Sequence, residues 1–197
     1  MGYPLVMVVG DAARTEPLLL AGKMPCPRCA GALRPHGHGR TRTVRGSGAA
    51  RLTIRPRRAR CGDCGATQIL LPTALTSRLS DSTEVIGSAL VRKVGGAGFR
   101  TIARVLDRPE TTVRRWLRRA RGQHTECLYQ QGVQAAVSID RELLAWPAVH
   151  DTALGAGLNL LAGAALRYRL RYALDEDLWS LIGILACGRL LAATIRQ

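Results

Sequence analysis

Two short cysteine motifs constrain this chain more than anything else in it. Cys26-Pro27-Arg28-Cys29 and Cys61-Gly62-Asp63-Cys64 are C-x-x-C pairs with 31 residues between them. Each pair is short enough to form one tight turn that aims two sulfurs at a common point. Two such turns complete a tetrahedral shell of four thiolates, of the kind Zn2+ accepts at ~2.3 Å. Gly31 and Gly65 stand just past the pairs, where the chain has to turn without a Cβ clash. The surrounding segment also needs a staple. From Pro25 to Arg60 it is rich in Pro, Gly and Arg and thin in apolar residues, and a ~50-residue unit of that composition rarely holds together on its core alone. Structural zinc supplies ~10–16 kcal/mol of apparent binding energy in zinc-finger peptides. A metal bound by four thiolates has no open position, so the expectation is a structural Zn2+ on Cys26, Cys29, Cys61 and Cys64, not a catalytic one.

The alternatives for the quartet are a redox pair and the disulfide framework of a secreted protein. Gly2–Val9 carries no positive n-region and no A-x-A cleavage site, so a secretory signal is not indicated. No stretch of ~18 apolar residues runs without a polar break, so no membrane partner is expected. The expected location is cytoplasmic and nucleoid-associated, where thiols stay reduced. Cys127 and Cys187 stand alone on helical stripes and are expected to be buried thiols. His36 and His38 are expected in a solvated basic loop, since the quartet is complete without them. His124 and His150 have no visible partner.

The charge points to a polyanion. The chain has 29 Lys+Arg against 14 Asp+Glu, a net charge of +15 and a pI near 11.0. Residues 1–122 hold 23 bases and 7 acids, and residues 123–197 hold 6 and 7. The basic function therefore belongs to the first three-fifths. From residue 40 to residue 60, between the cysteine pairs, stand Arg40, Arg42, Arg45, Arg51, Arg55, Arg57, Arg58 and Arg60 with no acid among them. Such a run is often just a solvated face, but a phosphate backbone explains its mutual repulsion better. Only 3 Trp, 4 Tyr and 1 Phe are present, too few for a protein that stacks many bases, which disfavours RNA.

Periodicity places these residues on elements. Tyr3–Val9 and Ile69–Leu71 read as strands, and Gly46-Ser47-Gly48 as the turn of a hairpin. Asp81-Ser82-Thr83-Glu84 fits a capping box that opens a helix. A second helix spans about Arg100–Leu106, and Asp107-Arg108-Pro109 makes a turn. A third spans about Glu110–Arg121, with Val113, Trp116, Leu117 and Ala120 on one stripe. Its other face is basic. A short helix, a three-residue turn and a basic helix is the pattern of a helix-turn-helix. Thr111, Thr112 and Arg115 are the expected readers of base edges and Arg118, Arg119 and Arg121 the expected phosphate contacts, with Arg114 and the hairpin-region Arg55, Arg57 and Arg58 as further expected DNA contacts. Asp107 stands where such turns often carry Gly, a position Asp tolerates better than most residues. Further helices are expected over Thr125–Gln134, Asp140–Leu144, Ala153–Tyr172 and Glu176–Leu191. The glycines at 95–98 and at 155 and 157 lack a P-loop Lys-Ser/Thr and read as turns or close helix packing.

The runs C-P-R-C-A-G, R-P-R-R-A-R-C-G-D-C-G and F-R-T-I-A-R-V-L-D-R-P-E-T-T-V-R-R-W-L-R-R-A together resemble a family of small bacterial zinc-ribbon, helix-turn-helix proteins from high-GC genomes. More distantly they are similar to the N-terminal DNA-recognition half of insertion-sequence transposases. The likeness covers about residues 24–121, with W-S-L-I…G-R-L-L of the tail also similar to the small-protein family. It implies an architecture, without fixing a biological role. Transposases of that kind continue into a long domain with three carboxylates on two metal ions. Here 75 residues follow Gly122, and Val137-Ser138-Ile139-Asp140 only faintly resembles a first catalytic strand.

The resulting expectation is an α+β chain with no enzyme activity. It comprises an N-terminal strand/helix extension (1–23), a small four-cysteine zinc ribbon with a basic β-hairpin (24–75), a three-helix helix-turn-helix domain (80–122) and a helical C-terminal region (123–197). Its function would be double-stranded DNA binding, as a transcriptional regulator or a mobile-element-associated recognition protein. The alternatives are a non-catalytic remnant or accessory subunit of a transposase, and an adaptor that forms a homodimer or binds a protein partner through 123–197.

Overall fold

The computed structural model describes residues 6–10, 12–77, 79–145 and 150–191. Tyr3–Leu5, the first part of the expected N-terminal strand, lie outside them. The elements are β1 (Val6–Val9), α1 (Ala12–Leu20), β2 (Leu33–His38), β3 (Arg42–Arg45), β4 (Arg51–Ile54), β5 (Arg57–Cys61), β6 (Thr67–Pro72), α2 (Thr83–Val94), α3 (Phe99–Leu106), α4 (Glu110–Arg119), α5 (Gln123–Ile139), a 3-10 turn (Arg141–Leu144), α6 (Ala153–Tyr172) and α7 (Leu178–Leu185). The fold is thus mixed α+β.

Four strands form one sheet in the order β1-β6-β5-β2, with β1 parallel to β6 and the other neighbours antiparallel. β5 shows why it sits inside. Its Ala59 and Cys61 alternate with Arg58 and Arg60, so one face joins Leu19, Met24, Leu33 and Leu70 in a small core. β1 supplies the edge strand of this sheet, and Leu19 of α1 seals its core. β3 and β4 form the separate hairpin around Gly46–Gly48 that the turn residues predict. β2 has no strand signature, because Pro35 and Gly37 interrupt it. Its register with β5 shifts between Pro35 and His38, and Gly37 takes a positive φ there.

The helices share one larger core. Ile86 and Leu90 of α2, Ile102 of α3, Val113, Trp116 and Leu117 of α4, Leu128 of α5, Leu161 of α6 and Leu181 of α7 all belong to it. Residues 80–122 and 123–191 are therefore welded by one hydrophobic cluster. Glycines allow the closest approaches. A Cβ on Gly157 of α6 would lie 3.0 Å from backbone atoms of Tyr129 on α5, and one on Gly87 of α2 would overlap the Trp179 ring. Val137–Ile139, which only faintly resembles a catalytic strand in sequence, is the end of α5, and Asp140 caps the 3-10 turn. α7 stops at Leu185, well short of Leu191, because Cys187 and Gly188 turn through positive φ. Among the described residues, no helix is long and apolar enough to cross a membrane.

Candidate metal centre and basic helix face

The two C-x-x-C motifs fold into matching turns at one end of the sheet. In the first, the Cys26 N–H donates to the Gly31 carbonyl (2.7 Å) and the Ala30 N–H to the Cys26 carbonyl (2.9 Å). In the second, Cys61 donates to Ala66 (2.9 Å) and Gly65 to Cys61 (3.2 Å). The residue after each second cysteine is left-handed: Gly65 at φ 68° and Ala30 at φ 60°. Gly31 is needed for a different reason, because a Cβ there would overlap the Asp63 carboxylate. The Gly62 N–H, 3.1 Å from the Ala32 carbonyl, ties the turns together.

This pairing brings all four sulfurs to within 4.8 Å of one another. Cys26 and Cys64 are 3.8 Å apart, and Cys29 and Cys61 3.5 Å. A tetrahedral ion with ~2.3 Å bonds to sulfur requires ligands about 3.8 Å apart, so the cluster fits a metal ion and none of its thiols is disulfide-bonded. The thiols also perturb each other. The Cys64 backbone N–H brings the Cys61 thiol down to about 7 against the opposing effect of burial, aided by the Asp63 N–H and the Cys29 and Cys64 thiols. Cys29 goes up to about 12: the Gly31 N–H lowers it, but Cys61, Cys64, burial and Cys26 together raise it further. Four thiolates side by side repel, so the quartet loses its protons completely only around a cation. His36 and His38 are exposed on β2, outside the cluster. Cys127 and Cys187, expected to be buried, are exposed: each lies on the solvent side of its segment.

The structure separates the arginines into two groups. Arg57 is held within the fold. Its Nε and Nη2 donate to the two Glu16 oxygens at 3.0 and 2.8 Å, and Nη1 donates to the Gly37 carbonyl at 2.9 Å. It fastens α1 to β5 and is withdrawn from the set of outward contacts. Arg55 is exposed and Arg58 half-buried. Arg45 is paired with Asp81 at 2.8 Å. Asp81 is not the cap of α2. Ser82 is, accepting from the Val85 N–H at 3.3 Å, which frees the Asp81 carboxylate to turn inward. Its other oxygen accepts from Arg108 Nε at 2.7 Å, and both side chains are only 3% exposed. Neither Asp81 nor Arg108 carries a sequence signal for this role, since their partners are 27 residues or more away along the chain.

α3 and α4 meet at the turn Asp107–Pro109. Asp107 is left-handed there, at φ 51°. The stripe Val113, Trp116, Leu117 and Ala120 is buried, so the remaining face of α4 is outward. Thr111, Arg114, Arg115 and Arg118 are exposed, Thr112 and Arg119 are half-buried on the same helix, and Arg121 is exposed just past its end. The Arg114 guanidinium lies 4.5 Å from the Phe99 ring centre and Arg100 lies 5.5 Å from it, a cation–π arrangement that fixes Arg114 in place. The Arg119 guanidinium is lowered from its ordinary pKa, first by burial and then by the charge of Arg115.

The chain matches no protein-family model, no curated protein and no solved structure.

Proposed function

We propose that the protein binds double-stranded DNA, with Zn2+ held by Cys26, Cys29, Cys61 and Cys64 as a structural ion and α3–α4 acting as a helix-turn-helix. The observation that carries this reading is the outward face of α4. It presents Thr111, Thr112, Arg114, Arg115, Arg118 and Arg119 opposite a buried apolar stripe, with Arg121 just past the helix end. A helix of this width fits the major groove. Its first turns then face base edges, where Arg bonds guanine and Thr meets the thymine methyl, while Arg118 and Arg119 lie toward phosphate. Arg55 and Arg58 add to the basic field from the sheet side. The zinc is assigned by its ligand set, because four cysteine sulfurs at tetrahedral spacing leave no site for substrate.

The test is fluorescence anisotropy of a labelled 24-bp duplex, read from 50 to 200 mM NaCl. The zinc-loaded protein is expected to bind with an affinity that falls steeply with salt. The Arg114→Ala/Arg115→Ala/Arg118→Ala variant should bind at least tenfold more weakly with an unchanged melting temperature. Equal binding by this variant and the wild type overturns the assignment of α4. Enrichment of genomic fragments by the same protein then separates a regulator with a defined site from a non-specific binder.

One observation favours a second role for the C-terminal helices. A groove of about 570 Å3 runs between α5, α6 and the end of α7, lined by Ala135, Ile139, Tyr168, Leu181, Ile184 and Leu185 among others. Such a surface suits a second copy or a protein partner. Light scattering at micromolar concentration distinguishes a dimer from a monomer.

A further inference from the structure

We infer that Arg108 is a positioning residue that joins the β3–β4 hairpin and α4 into a single nucleic-acid surface, with Arg51 as its contact from the hairpin. This inference rests on the DNA-binding reading above and adds to it a fixed second element. Arg108 lies in the turn just before α4, yet it donates in four directions. Nε bonds Asp81, Nη1 bonds the Leu106 and Asp107 carbonyls at 3.0 and 2.9 Å, and Nη2 bonds the carbonyl of Gly46 at the hairpin tip. One planar guanidinium therefore holds the hairpin tip against the residues that precede Glu110. A lysine, with a compact ammonium and no fork, cannot satisfy these directions together.

The hairpin is fixed from the other side as well. Arg45 donates its N–H to the Ser80 carbonyl (2.8 Å) and its carbonyl accepts from the Ser82 N–H (2.9 Å), so the start of α2 is laid against β3. Arg45 also pairs with Asp81, which places both arginines on one carboxylate. Arg51 is the register partner of Arg45 across the hairpin. It is exposed, and its side chain meets no carboxylate among the described residues. The charges of Arg45 and Arg108 are engaged at Asp81, whereas Arg51, on the same face of the hairpin as its register partner Arg45, is exposed. A duplex seated on α4 would meet Arg51 as a phosphate contact whose position is set by Arg108.

Four proteins test this with the 24-bp duplex: wild type, Arg51→Ala, Arg108→Lys and the double variant, each followed across the same salt range. Arg108→Lys keeps the charge, so a change in its salt dependence reports geometry. Removal of one phosphate contact flattens the slope of log K against log salt by about 0.9. Arg51→Ala is expected to show that flattening with an unchanged melting temperature. Arg108→Lys is expected to show it too, and Arg51→Ala to add nothing further in that background. Simple destabilisation would lower the active fraction and leave the slope alone. Full additivity of the two substitutions overturns the role of Arg108. An unaltered slope for Arg51→Ala, which sits on the surface and does not threaten folding, overturns the composite surface even if Arg108→Lys fails to fold. The α4 triple variant is the control. Its loss of binding beside an unaffected Arg51→Ala leaves the DNA-binding reading standing and removes only this inference.

Discussion

Ala30 and Gly65 hold equivalent positions in the two cysteine turns, and both are left-handed. Only one of them is a glycine. A Cβ in that region costs roughly 1 kcal/mol, so Ala30→Gly is expected to stabilise the metal-loaded protein by about that amount, less the extra entropy glycine brings to the unfolded chain. Urea denaturation measures it, and a destabilised variant would show that the Ala30 methyl contributes packing that outweighs the strain. His124 carries a second prediction. Its Nε2 lies 3.2 Å from the Leu190 carbonyl, an acceptor, so that nitrogen bears the proton. Burial lowers its pKa below the usual 6.5, the bond to Leu190 opposes this, and the Arg119 charge adds to the lowering. The folded protein therefore holds a proton less readily than the unfolded chain does. Stability is complete above pH 6.5 and declines as pH falls through the folded value. Melting temperatures from pH 7.5 to 5.0 should drop more in the wild type than in His124→Gln.

Elements built on local pattern were legible in the sequence. The α4 stripe reads directly from 3.6-residue spacing, and the hairpin from its glycines. Ala153–Tyr172 is a helix with the boundaries that its periodicity predicts. What local pattern cannot show is which side chains meet across the fold. Eight arginines without a neighbouring acid look like a solvated or phosphate-bound face, yet Arg57 finds Glu16 from α1 and Arg45 finds Asp81 from the start of α2. Asp81 looks like half of a capping box for the same reason: it stands one residue before the true cap, Ser82, and its long-range partners are invisible. The two roles differ in energy. Ser82→Ala should cost about 1 kcal/mol, a lost N-cap. Asp81→Ala should cost about 3–5 kcal/mol, because it leaves the buried Arg108 guanidinium without its counter-charge. Equal losses in thermal unfolding would return Asp81 to the role of a helix start.

At the scale of the whole molecule, the sheet and the helices depend on different sources of stability. The helices share a continuous core of Leu, Ile, Val and Trp side chains. The sheet core is small, and Cys26 and Cys61 are themselves part of it. Its integrity therefore depends on what the four sulfurs bind. Without a cation the quartet does not deprotonate fully, as the raised Cys29 thiol indicates, and the turns lose their common anchor. Chelation is expected to melt the sheet first while the helical signal in circular dichroism persists, giving two thermal transitions in place of one. Metal uptake must release protons, Cys29's among them, so apparent affinity should weaken as pH falls, and more steeply below about 7, where Cys61 regains its own. The two halves are nevertheless linked through Asp81, Arg108 and Gly46. If the protein binds duplex DNA as proposed, a loosened sheet should therefore reduce that binding even though α4 remains folded. If the chelated protein instead unfolds in a single step with total loss of helix, the cysteine cluster supports the entire fold, and the helical core is not self-sufficient.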